Sequence, residues 1–396
     1  MSRGFVCFNA GSSSLKFAVY AERDGALALS SRGQVDGLDH APRLVARAPD
    51  GKTIEERQLE ARSGYAAILS AVVGWVERHL APALLAAVGH RVVHGGNRHA
   101  GPALVTPDLL TELAALAPLA PLHQPHNLEA IGAMARLHPG LPQVACFDTA
   151  FHLGNPRISR LYALPGDLAG DDLVRYGFHG LSYEHVATAL PAVEPRARGR
   201  VVAAHLGSGA SMCALVDGKS VASTMGFSAL DGLPMATRCG NVDPGLLLYL
   251  LQEKHIAPDV LERKLYHDAG LLGVSGVSGD MRELLASEDP RARDAVDLFV
   301  YRIGRELGSL VAAAGGLDVL VFTGGIGEHA AAIRARVCEQ AAWLGVRLDA
   351  EANAAGGPRI HSPDSAVVVW VVAADEEGVI ARQTRTVVDG RDRRPG

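Results

Sequence analysis

Val201-Val-Ala-Ala-His-Leu-Gly-Ser-Gly-Ala-Ser-Met-Cys-Ala-Leu-Val216 repeats the plan of Phe5-Val-Cys-Phe-Asn-Ala-Gly-Ser-Ser-Ser-Leu-Lys-Phe-Ala-Val-Tyr20 near the N-terminus. In each, an apolar β-type run enters a tip of small residues and a second run leaves it toward an Asp-Gly turn, Asp24-Gly25 or Asp217-Gly218. Each segment therefore reads as a β-hairpin. At such tips the missing side chains let backbone N–H groups approach an anion, and serine hydroxyls add donors, so both can cradle phosphate. Elsewhere short apolar runs alternate with Ala/Leu-rich helical stretches, the pattern of an α/β protein.

A third glycine segment, Gly324-Gly-Ile-Gly-Glu328, follows the strand-like Val319-Leu-Val-Phe-Thr323 and precedes a helical stretch from Ala330 to Leu344. Strand, glycine loop and helix start together suit an anion or a nucleotide. Gly51-Lys-Thr53 and Gly218-Lys-Ser220 lack the upstream glycine of a Walker A loop and read as hairpin turns. Between Thr224 and Pro244 a single arginine, Arg238, stands in a glycine-bounded and nearly uncharged region. Its guanidinium is aimed at an anionic ligand or forms a structural pair with Asp231 or Asp243.

Composition narrows the classes. A 396-residue chain that is 48% hydrophobic and 20% charged has material for two domains. The net charge of -5, with one basic run in the tail Arg391–Gly396, excludes a nucleic-acid footprint, and the tail is expected to fray. The longest apolar run, Ala366–Ala374, is too short for a bilayer, and no secretory leader is read at the N-terminus. A cytoplasmic protein is expected. Five scattered cysteines (Cys7, Cys146, Cys213, Cys239, Cys338) without a Cys-x-x-Cys fit reduced thiols.

Several polar clusters lie between the hairpins. Gly89-His-Arg-Val-Val-His-Gly-Gly96 is strand-like and carries Arg91, and Pro121-Leu-His-Gln-Pro-His-Asn127 is a proline-bounded loop leading into a helix. Val144-Ala-Cys-Phe-Asp148 ends an apolar strand on a carboxylate, a common place for a functional group in open α/β sheets. Tyr176-Gly-Phe-His-Gly180 precedes a helix expected to be capped by Ser182 and ended by Pro191. The His90/His94 and His123/His126 pairs match no zinc spacing.

Asn9-Ala-Gly-Ser-Ser-Ser-Leu-Lys-Phe17, Gly89–Gly96, Phe147-Asp-Thr-Ala-Phe-His152, Tyr176–Gly180 and the Arg238 segment, with His205-Leu-Gly-Ser-Gly-Ala-Ser211, Ser278-Gly-Asp-Met-Arg282, Phe322-Thr-Gly-Gly-Ile-Gly-Glu328 and Asp375-Glu-Glu377, resemble the acetate kinase family along nearly the whole chain. The resemblance implies the fold shared by sugar kinases, heat-shock ATPases and actin, with two related α/β domains and a nucleotide cleft between them. The implied division is 1–148 for an acyl-substrate domain and 149–376 for a nucleotide domain, with about 377–396 packing back on the first. It further implies a homodimer that takes acetate or another short-chain carboxylate and ATP, with magnesium or manganese. Nucleic acid and membrane are not expected partners.

Residue by residue, the resemblance makes Asn9 and Glu376 metal-associated, and puts Ser14 and Lys16 in the first phosphate hairpin. Arg91 matches a carboxylate-binding arginine, Asp148 the essential aspartate, His179 and Arg238 groups that stabilise the transferring phosphoryl, and His123 a further active-site histidine. His205, Leu206, Gly207, Ser208, Gly209, Asp280, Met281, Arg282, Gly325, Ile326, Gly327, Glu328 and His329 match nucleotide segments. Val93, Leu122, Phe178 and Ala229 match the acyl pocket. Four positions depart from the family pattern: Ser208 and His329 replace Asn, Ala229 replaces Pro, and Asp375 replaces the Asn before the glutamate pair. Ala229 bears on acyl-chain preference.

Charge decides the chemistry that follows. Acetate is already ionised at neutral pH, so it needs no strong general base; the obstacle is bringing one anion onto another. Cations must therefore supply the catalysis, and Asp148 acts either in proton transfer or in positioning magnesium or Arg238. Alternatives are a kinase for propionate or another short acid, and a non-transferase ATPase of the same fold. That ATPase would need the phosphate loops but not Arg91, His179 and Arg238. The stretch Leu247-Leu-Tyr-Leu-Leu-Gln252 reads as an interface helix or as plain core.

Overall fold

A computed structural model describes residues 2–11, 14–38, 40–60, 64–168 and 170–392. Ser12 and Ser13 of the first hairpin tip, and residues 393–396 of the basic tail, lie outside the described residues. The chain divides into two compact units, Met1–Phe151 with Asp375–Gly396, and His152–Ala374.

The first unit carries β1 (Arg3–Ala10), β2 (Ser14–Arg23), β3 (Ala26–Asp36), β4 (Arg43–Arg47), β5 (Thr53–Gln58), β6 (Leu84–Val92), β7 (Ala103–Leu104) and β8 (Gln143–Phe147). Among the described residues they form one sheet in the order β5-β4-β3-β2-β1-β6-β8-β7. The second unit carries β9 (Arg200–Leu206), β10 (Ala210–Val216), β11 (Lys219–Ser223), β12 (Val319–Thr323) and β13 (Val368–Val371), ordered β11-β10-β9-β12-β13. The two sheets share a plan. In each an antiparallel trio (β3-β2-β1 or β11-β10-β9) is extended by parallel strands (β6 and β8, or β12 and β13).

Both trios turn their second corner through Asp-Gly. Asp24 and Gly25 have φ of 51° and 77°, and Asp217 and Gly218 have 56° and 71°, the left-handed pair of a tight hairpin turn whose twist matches the strands. Gly51-Lys-Thr53 and Gly218-Lys-Ser220 are hairpin turns, as their sequence suggests.

Helix Tyr65–Leu80 places Ile68, Leu69, Val72, Val73, Trp75 and Val76 on one face at helical spacing and buries them against Val6, Phe8, Leu15, Phe17 and Val19. Each such side chain contributes roughly 1.5–3 kcal/mol by leaving water. The opposite face of the sheet receives the helix Glu376–Asp392: a methyl group on Gly89 of β6 would overlap Thr384 and Ile380. In the second unit the long helix Pro290–Ala314 packs on β10. Asp289 caps its start by accepting from Arg291 N at 2.9 Å, and Gly315, at φ 73°, ends it.

Three local expectations change. The helix after Phe178 begins at Gly180 with His179 in its cap position, so Ser182 sits inside the helix instead of capping it. The glycine segment after β12 is itself a helix, Gly324–His329, followed by Ala331–Gln340 and a short turn at Ala342–Leu344. Leu247–Gln252 belongs to a helix, Pro244–Gln252, in which no residue is buried, and Leu246, Leu248 and Tyr249 stand about half exposed; plain core is excluded. Among the described residues no helix is long and apolar enough to cross a membrane.

Candidate active site

In the first unit, neighbouring strand ends bring distant residues together. Arg91 near the end of β6 donates from Nε and Nη2 to Asp148 Oδ2, at 3.0 and 2.6 Å. Its Nη1 donates to Asn9 Oδ1 of β1 at 3.3 Å and lies 3.6 Å from Glu376 Oε2, at the start of the C-terminal helix. Asp148 follows β8 directly, and its N–H donates to Val92 O, so the backbone fixes the carboxylate beside Arg91.

Burial governs the charges here. It pushes the Asp148 carboxyl up to about 6, with Glu376 adding to that and Arg91 pulling the other way. Burial also pulls the Arg91 guanidinium down, but Asp148 and Glu376 more than offset this and hold it above its ordinary value. Asp148 Oδ1 is buried and has no hydrogen-bond partner among the described residues.

Other residues that the resemblance implies lie in the same unit. Val93 donates its N–H to Asn127 Oδ1, and Asn127 donates to Ala10 O, which ties the ends of β1 and β6 to the helix Gln124–Leu137. The loop read over Pro121–Asn127 is therefore shorter, ending where that helix starts. His123 occupies the helix cap position, half-buried, with Leu122 beside it. Ser14 opens β2, and Lys16, exposed on β2, pairs across the ladder with Asn9.

In the second unit the tip of the β9–β10 hairpin gathers the other set. A methyl group at Gly209 would lie 2.6 Å from Arg238 Nη2 and 3.3 Å from His179 Nε2, so both side chains converge on bare backbone. Arg238 Nη1 donates to Ala229 O at 2.6 Å, whereas Asp231 accepts from Arg175 and Asp243 caps the helix Pro244–Gln252. His179 is held in the left-handed region at φ 56°. Its Nδ1 lies 2.8 Å from Ser211 Oγ, and its ring stacks on His205 at 4.4 Å. Phe178 is buried, and Ala229 is half-buried.

Next to this tip lies a cavity of about 560 Å³, lined by Gly207, Ser208, Asp280, Met281, Arg282, Gly325, Ile326 and His329 among others. Three segments far apart in sequence thus share one wall. Asp280 caps its own helix through Arg282 N and grips the Arg282 guanidinium, which holds its carboxyl down at about 2. Gly327 and Glu328 face inward instead: their carbonyls accept from the buried Arg334, and Glu328 Oε1 accepts from Ala374 N. Leu206 is fully buried, and His205 Nδ1 lies 2.8 Å from Ser182 Oγ.

No motif assigns a role to Tyr183, His152 or Arg334, which neighbour the site, and Ser211, expected as a phosphate-facing serine of the hairpin tip, is instead buried on β10 with its Oγ 2.8 Å from His179 Nδ1. Tyr183 stands four residues after His179, one helical turn on, and Ser211 faces His205 across the ladder; these spacings were the available signal. His152 is buried beneath the His179 loop, with Nε2 3.0 Å from Phe178 O and Nδ1 2.8 Å from Ser220 Oγ.

As for metals, no three His, Cys, Asp or Glu side chains are grouped to hold one among the described residues. The oxygen set of Asp148, Glu376 and Asn9 fits magnesium, which commonly takes one or two carboxylates and completes its shell with water and substrate phosphates. The open Oδ1 of Asp148 is a donor of the right kind.

The Acetokinase family profile matches residues 4–382. An acetate kinase of Rhodopseudomonas palustris is 54% identical, covering 98% of this chain and all of its own. A Rhizobium meliloti acetate kinase is 48% identical over 96% of this chain and 97% of its own. Among solved structures, Porphyromonas gingivalis acetate kinase superposes with a TM-score of 0.85 at 33% identity, covering 98% of this chain and 100% of its own. A propionate kinase from Francisella tularensis reaches 0.90, also at 33%, over 97% and 100%. The motif order, the paired sheets and a profile spanning nearly the full length lead to one assignment: the chain belongs to the acetokinase family.

Proposed function

We propose that this protein is an acetate kinase that reversibly transfers the γ-phosphoryl group of ATP to acetate, giving acetyl phosphate and ADP. The observation that carries the reading is the β9–β10 hairpin tip, whose Gly207 and Ser208 line the 560 Å³ cavity and whose Gly209 lies against Arg238 Nη2 and His179 Nε2. A nucleotide in that cavity would have its phosphates directed toward two cationic or hydrogen-bond-donating side chains.

Arg238 and His179 serve the equatorial oxygens of the transferring group, where negative charge is spread in the transition state. Arg91 orients acetate through the N–H groups that Asp148 and Asn9 leave over, since its Nε and one Nη2 hydrogen are already committed. Because acetate brings no proton, Asp148 acts as a charge that holds Arg91 and presents Oδ1, not as a base. Magnesium, when bound, would be held by Asp148, Glu376 and Asn9 and would neutralise the β- and γ-phosphate oxygens. A homodimer belongs to the same reading, and the exposed Leu246, Leu248 and Tyr249 support it by offering an apolar face.

Hydroxamate trapping of acyl phosphate, run with ATP over acetate, propionate and butyrate, tests the function. Acetate is expected to give the highest kcat/KM. ATP hydrolysis without any acyl phosphate would overturn the assignment in favour of an ATPase, and a higher kcat/KM for propionate would move it to a propionate kinase.

A further inference from the structure

A buried hydroxyl chain reaches His179. Its Nδ1 lies 2.8 Å from Ser211 Oγ, and Ser211 Oγ lies 2.5 Å from the phenolic oxygen of Tyr183. Ser211 and Tyr183 are fully buried, so the chain is shielded from water. The other ring nitrogen, Nε2, faces the hairpin tip beside Arg238 Nη2. A hydroxyl has a single hydrogen to give, so the order of donors along Tyr183, Ser211 and His179 decides which imidazole nitrogen of the neutral ring carries the proton.

We infer that Tyr183 and Ser211 act as positioning residues that set the tautomer of His179. Tyr183 donates to Ser211 Oγ, and Ser211 donates to Nδ1. Nε2 then carries the hydrogen and presents a donor to a phosphoryl oxygen. The reverse order would place the hydrogen on Nδ1 and leave a lone pair on Nε2 facing an anionic group. That arrangement repels the substrate where the first one attracts it. Buried hydrogen-bond chains reinforce their own direction, and the Tyr183 phenol in this one is a better donor than an aliphatic hydroxyl.

The fold supplies the geometry. Tyr183 lies in the first turn of the helix Gly180–Ala189, its N–H donating to the carbonyl of the cap residue His179, and Ser211 comes up from β10 to bridge the two side chains. His152 steadies the same loop from below: its Nε2 hydrogen is the one available to bond Phe178 O, so its Nδ1 accepts from Ser220. The left-handed backbone of His179 is thus held on both sides of the ring.

This inference rests on the acetate kinase reading, and the tests separate the two. Tyr183→Phe should lower kcat about five-fold and Ser211→Ala about ten-fold, with KM for ATP and acetate within about two-fold of wild type. The double variant should be no slower than Ser211→Ala alone, because Tyr183 works only through Ser211. Ring ¹⁵N shifts of His179 in the wild-type protein, assigned by comparison with His179→Gln, should show hydrogen on Nε2 and a bare Nδ1, with a tautomer mixture in Tyr183→Phe. Hydrogen on Nδ1 in the neutral wild-type ring would overturn the relay, as would wild-type kcat in both single variants. The shifts report on the relay even if the enzyme forms no acyl phosphate, an outcome that would instead sink the functional reading.

Discussion

Arg238 commits Nη1 to the Ala229 carbonyl and leaves Nη2 against the bare backbone of Gly209. Truncating it removes a charge without opening a buried core, so Arg238→Ala should fold normally, bind ATP, and lose about a hundred-fold or more in kcat. Circular dichroism and nucleotide titration separate this from collapse; a soluble variant with near wild-type turnover would remove Arg238 from the transition state. Asp148→Asn tests charge at nearly constant shape. With the carboxylate gone, Arg91 loses its principal partner and the metal set loses an oxygen anion, so the magnesium concentration for half-maximal rate should rise or turnover should vanish at any level. Normal rates with normal metal dependence would contradict that role. Residues bearing unusual charge in apolar surroundings, such as Arg91, Asp148 and Arg238, were legible in sequence. Tyr183 and Ser211 were not, because a buried hydroxyl looks like any other until its partner from another element is in place.

The C-terminal helix Glu376–Asp392 depends on the absence of a side chain at Gly89. Gly89→Ala would drive a methyl group into Thr384 and Ile380, and such overpacking costs about 1–3 kcal/mol. Because that helix begins with Glu376, the variant should melt lower and also need more magnesium for half-maximal activity. Thermal denaturation and a metal titration read the two effects; a lower melting point with unchanged metal dependence would show that Glu376 does not follow its helix. Element types were legible where period and turn chemistry agreed, as in both Asp-Gly hairpins. Gly324–Glu328 was misread as a loop because three glycines weigh against a helix. The close approach of Gly324 to the Leu206 backbone needs a glycine, and Arg334 holds the carbonyls of Gly327 and Glu328, so packing outweighs local preference.

At the scale of the whole chain, the duplicated hairpin foretold two sheets on one plan, but nothing local announced which later strands would extend each in parallel, since those partners are set by long crossovers. The same two cores make a prediction about acid. His90 in the first unit and His152 in the second are buried neutral, and burial lowers both to about 4 from an ordinary 6.5. The unfolded chain therefore binds more protons than the folded one between those values. Stability is fully present above about pH 6.5 and falls as pH drops toward 4, by roughly 3 kcal/mol for each histidine. His90 has little with which to meet a charge: Nε2 lies 2.7 Å from the Gln143 amide, and Nδ1 is buried without a partner among the described residues. His90→Gln removes one of the titrating groups and stays neutral throughout. Melting temperatures across pH 7 to 4 should fall for both proteins but less steeply for the variant, whose stability relative to wild type improves as acid is added. Parallel curves would show that His90 does not titrate on unfolding in this range and that the acid lability has another source.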